Sequence, residues 1–105
     1  MQVPLNISAP DIELSDNHKQ EIGRRAQKLE QFYDRITSCR VAVEVPHRSP
    51  EGQPRSYAVR IDVTVPQSEI VVDNQEGDSI PTAIDRAFDV AERRVREFVE
   101  RRRGR

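Results

Sequence analysis

The run SIPTAIDRAFDVAERRVREFVERRR at residues 79–103 constrains this chain more than any other stretch. Its apolar side chains are Ile80, Ala83, Ile84, Ala87, Phe88, Ala91, Val95, Phe98 and Val99. That three-and-four spacing predicts one long amphipathic helix with a continuous buried seam. Ser79 suits the N-cap, and Pro81 is tolerated in the first turn, where a backbone N–H has no partner to lose. At about 100° per residue the charges on the polar surface separate by sign. Asp85, Asp89 and Glu92 fall to one side, and Arg86, Arg93, Arg94 and Arg101 to the other, interrupted by Glu97. A helix so built has a seam to pack and a basic edge to offer.

The upstream sequence supplies what the seam packs against. Val3, Leu5 and Ile7 alternate with polar residues and predict a strand, with Pro4 marking an edge position. Ser15 is placed to cap a first helix running roughly to Gln31, whose stripe is Ile22, Ala26, Leu29 and Tyr33. Gly23 inside it costs about 1 kcal/mol of helix propensity relative to Ala, which suggests close packing there. Cys39, Val41, Val43 and Val45 predict a half-buried strand ended by Pro46. HRSPEGQP, residues 47–54, predicts an irregular polar loop. Tyr57 to Val65 alternate as a third strand, Ile70–Asp73 reads as a fourth, and DNQEGD as the turn before the long helix. The order strand, helix, three strands, helix predicts an α+β, βαβββα two-layer sandwich. In it a four-stranded sheet is covered on one face by both helices. The length of 105 residues predicts a single domain over 1–105.

The net charge of −1 conceals a pattern. Residues 1–18 carry −3, residues 19–36 carry +2, residues 37–79 carry −3 and residues 80–105 carry +3. The helical segments are basic and the strand segments acidic, a distribution that points the helices toward an anionic partner. On helix geometry Arg24, Arg25 and Arg101 join this basic surface.

Chemistry of other kinds has little support in the sequence. His18 and His47 have no Cys, His or acidic neighbour at metal-ligand spacing, so no metal site is expected. There is no glycine-rich phosphate loop and no nucleophile elbow, so no cofactor or enzymatic activity is expected. Asp85 with Asp89 reads as solvated i,i+4 patterning. Cys39, alternating with valines, reads as a buried strand thiol. No stretch nears the roughly 18 consecutive apolar residues of a membrane span. With no signal sequence and a single cysteine, a cytoplasmic location is expected.

The segment KLEQFYDRI, Lys28–Ile36, resembles the end of the first helix in the bacterial hibernation-promoting factor and ribosome-associated inhibitor (sigma-54 modulation protein) family, where a Val-rich strand follows directly, as it does here from Cys39. SIPTAIDRAFDVAERRVREF resembles the final helix of that family. The resemblance implies the βαβββα domain and binding to the small ribosomal subunit, where messenger and transfer RNA would otherwise sit. It implies translation inhibition through basic helix edges on ribosomal RNA phosphates, with no small-molecule substrate. Lys28 and Arg35 match the family's run, and Arg86, Arg93 and Arg94 fall in its basic helix. The end at Arg105 corresponds to the family's short form. Two alternatives stay open: a protein-interaction or stress-regulatory module of the same fold without ribosome binding, and a double-stranded RNA binder.

Overall fold

The computed structural model describes residues 4–103, so Val3 of the first strand lies outside the described residues. The elements are β1 (Leu5–Ser8), α1 (Asp16–Phe32), β2 (Ser38–Arg48), β3 (Pro54–Val65), β4 (Ser68–Gly77) and α2 (Ile80–Arg103). The strands form one mixed sheet in the order β1-β2-β3-β4. β1 runs parallel to β2, with Leu5 opposite Cys39, and the later pairs are antiparallel. This is the α+β, βαβββα sandwich that the patterning predicts.

Both helices begin at serine caps. Ser15 Oγ accepts from the His18 N–H at 3.1 Å, and Ser79 Oγ accepts from the Thr82 N–H at 3.3 Å. One sheet face supplies Cys39, Val41, Val43, Val59, Ile61, Val63, Val65, Ile70 and Val72 to the core. Against it α1 places Ile22, Ala26 and Leu29, and α2 places Ile84, Phe88 and Val95. Ala83, Ala87 and Ala91 follow one another at four-residue spacing and are fully buried, so α2 lies close on the strands. On the opposite face Arg40, Glu44, Arg60 and Glu69 are exposed.

Three expectations change. Pro46 does not end β2; it falls within a register shift between Glu44 and His47, where a residue without an N–H interrupts no ladder bond. β2 therefore continues through His47 to Arg48, and the anticipated loop shrinks to a turn. In that turn the Ser49 N–H donates to Gln53 O at 2.8 Å, and Gly52 adopts φ 87°. DNQEGD is strand rather than turn for most of its length: Asp73 and Asn74 bulge opposite Arg60, and β4 resumes to Gly77. Gly77 is dictated by space, since a Cβ there would stand 2.7 Å from Ala83 N. Gly23 is not: its nearest neighbour would be Leu5 Cδ2 at 4.0 Å, an ordinary contact.

Candidate nucleic-acid interface

The two helices lie side by side and run the same way. Arg25 of α1 meets Asp85, Asp89 and Glu92 of α2, while farther along Phe32 lies under Arg96 and Tyr33 packs edge-on against Phe98 with centroids 5.5 Å apart. Both C-termini therefore emerge at one end of the helical layer.

The acidic flank of α2 is committed internally. Arg25 donates to Asp85 Oδ1 at 2.8 Å, to Asp89 Oδ1 at 2.9 Å and to Glu92 Oε2 at 3.2 Å, and its guanidinium lies 5.6 Å from the centroid of the Phe88 ring. Arg25 is only 7% exposed and Glu92 only 9%. Arg25 thus lies between the helices and not on the exposed basic surface expected for it, and Asp85 and Asp89, though exposed, are ion-paired as well as solvated. Lys28 remains exposed, with Nζ 3.6 Å from Glu92 Oε2.

Half of the basic flank is occupied as well. Arg86 Nη1 donates to Glu76 O at 2.7 Å, and Arg94 Nη1 donates to Val71 O. Both acceptors are backbone carbonyls of β4, the outermost strand on that side. Two arginines two helical turns apart therefore cover a sheet edge that would otherwise offer bare carbonyls. Arg24 is exposed but clasps Glu21 through two bonds, at 2.6 and 3.0 Å, and this holds the Glu21 carboxyl below its ordinary range.

Of the predicted residues, Arg35, Arg93 and Arg101 are exposed and make no ion pair among the described residues. Sequence reasoning missed Arg96, Arg102 and Arg103. Arg96 sits 5.4 Å from the Phe32 ring centroid, and Arg102 sits 5.1 Å from that of Phe98. In the sequence only Phe98, between Arg96 and Arg101, signals this; the approach of Phe32 and Tyr33 is a tertiary contact. Residues 93–103 carry six Arg against two Glu, so positive charge gathers where both helices end. The negative end of the helix dipole favours Arg101, Arg102 and Arg103 there. Between the helix ends lies an open cleft of about 430 Å³, lined by Tyr33, Arg35, Val99, Arg102 and Arg103 among others.

Cys39 offers no competing chemistry. Burial, aided by the nearby Asp62 charge, pushes its thiol up to about 12, so it stays protonated at neutral pH. No helix among the described residues is long and apolar enough to cross a membrane.

A family model, that of the sigma 54 modulation protein / S30EA ribosomal protein family, matches residues 5–103. A curated relative from Deinococcus radiodurans, named ribosome hibernation promotion factor, is 28% identical over 95 residues. The match covers 90% of this chain and 48% of that protein, so the chain spans about half the length of this relative. Two solved structures share the fold. The Thermus thermophilus Protein Y N-terminal domain superposes with a TM-score of 0.74 at 20% identity, covering 93% of this chain and 99% of that one. A ribosomal subunit interface protein from Coxiella burnetii gives 0.70 at 15% identity, with the same coverages.

Proposed function

Because the chain belongs to the sigma 54 modulation protein / S30EA ribosomal protein family, we propose that it is a ribosome hibernation factor that binds the small ribosomal subunit and occludes the messenger and transfer RNA sites. The names carried by its Deinococcus and Coxiella relatives support a ribosomal partner. The observation that carries the RNA-binding part is the arginine-rich end of the parallel helices. There Arg35, Arg93 and Arg101 are free to neutralise phosphates, and phosphate contacts of this kind position a protein on RNA without reading bases. Arg25 and Lys28 pair with Asp85, Asp89 and Glu92 on the flank of α2 that faces α1, which partly offsets the negative charge nearest the arginine-rich end.

Co-sedimentation with small ribosomal subunits at low and moderate salt tests the proposal. Pelleting should weaken with salt, and each lost phosphate contact should flatten the log–log salt slope by about 0.7–0.9. Joint charge reversal of Arg35, Arg93 and Arg101 should release the protein from the pellet. Reversal of Arg86 and Arg94 is a poorer test, because both hold β4. Absence of pelleting at either salt overturns the proposal and favours a protein partner for the same fold.

A further inference from the structure

We propose that the cleft between the two helix ends receives one unstacked nucleotide of a single-stranded RNA segment, an inference that rests on the ribosome-binding reading above and specifies the form of RNA it engages. The cleft volume of about 430 Å³ lies within the roughly 300–1,000 Å³ typical of small-ligand sites. Its lining divides by chemistry. Arg35, Arg102 and Arg103 supply fixed positive charge for a phosphate, and guanidinium groups match phosphate oxygens two at a time. Tyr33 and Val99 supply the apolar wall that a base face needs. Glu30 and Asp34 add carboxylate acceptors, which suit ribose hydroxyls or base amino groups.

Other openings on the surface are built differently. The groove beside β1 contains one arginine, Arg24, already clasped by Glu21. The cleft on the open sheet face sets Arg40 and Arg60 among Glu44 and Asp62 without an aromatic. The opening between α2 and the start of β4 comes nearest, with Phe98, Arg101, Glu69 and Glu97, but its other arginine, Arg94, is held by Val71 O. The cleft at the helix ends sets two aromatic residues, Phe32 and Tyr33, beside three arginines that make no ion pair among the described residues. A paired base keeps both its faces stacked and cannot enter such an opening, whereas a splayed base can.

The test is fluorescence anisotropy of a labelled short oligoadenylate with the full chain at low salt, competed by unlabelled RNA duplex and by oligodeoxyadenylate. Stacking of a base on protein is worth about tenfold or more in affinity, so the duplex should compete at least about tenfold more weakly than single-stranded RNA. Arg35→Glu with Arg102→Glu should weaken oligoadenylate binding by about tenfold or more, and Arg55→Glu, remote in the β2–β3 hairpin, should leave it within about twofold. Circular dichroism checks that each variant is folded. Equal competition by duplex, or indifference to the Arg35 and Arg102 changes, overturns the inference. Ribosome pelleting is measured alongside. Pelleting without single-strand binding removes this inference alone, and loss of both removes the ribosome-binding reading with it.

Discussion

Arg25 Nη2 and Glu92 Oε2 face each other across the helix pair at 3.2 Å, both side chains almost sealed from water. An ion pair so placed contributes little by existing but much when halved, because the survivor keeps its charge where hydration is poor. Arg25→Met should therefore cost about 3–5 kcal/mol in urea unfolding, and the double change Arg25→Met, Glu92→Leu should recover most of that loss. Equal stability of the single and double variants would show that Glu92 finds water or Lys28 instead.

Arg86 and Arg94 should behave as edge guards. Replacing both with Ala removes two side-chain bonds to β4 carbonyls, each worth about 1 kcal/mol net. The exposed edge then becomes a template for strand pairing between molecules. Sedimentation velocity should show concentration-dependent self-association of the double variant at concentrations where the parent chain shows none.

The two glycines make opposite predictions. At Gly77 an added methyl meets the backbone of Ala83 and the side chain of Thr82, which lies 2.9 Å away, so Gly77→Ala should destabilise by about 1–3 kcal/mol. At Gly23 the methyl finds room, so Gly23→Ala should stabilise by about 0.5–1 kcal/mol through helix propensity. Thermal melts of the two variants displaced in opposite directions would bear this out.

The Cys39 thiol gives stability a specific alkaline limit. Its pKa is raised from 9.0 in the unfolded chain to about 12 in the fold, so above pH 9 only the unfolded state readily loses the proton. The stabilisation present below that pH is progressively lost as pH climbs toward 12. Cys39→Val should abolish this part of the pH dependence. A thiol-specific reagent should react with the native protein only at the rate of its opening.

The elements were legible where periodicity was long. Ser15 and Ser79 announced both helices, and the valine alternation announced β2 and β3, because each pattern repeats a single geometry over several residues. β4 was only half legible: the bulge at Asp73 and Asn74 shifts the alternation, so the residues to Gly77 imitate a turn. Pro46 misled for the same reason, since a bulge accepts a residue that a regular ladder rejects.

The candidate site was legible as charge and illegible as contact. The split of Asp85, Asp89 and Glu92 from Arg86 and Arg94 is real, but half its meaning is internal. One flank closes on Arg25 from a helix sixty residues earlier, and the other reaches across to carbonyls that carry no side-chain signature. Arg35, Arg93 and Arg101 keep their expected exposure. The aromatic residues among the terminal arginines became informative only once Tyr33 and Phe98 were seen to touch.

The parallel pairing of β1 with β2 bears on the order of assembly. β2, β3 and β4 are joined by short turns and can zip as successive hairpins, whereas Leu5 reaches Cys39 only after the whole of α1 has been laid across the sheet. Distant contacts form slowly because the intervening chain must be closed first. β1 is also short and bonded on one side alone. It should be the last strand to dock and the first to release, so its amide protons should exchange with solvent well before those of β3, long before the molecule unfolds as a whole.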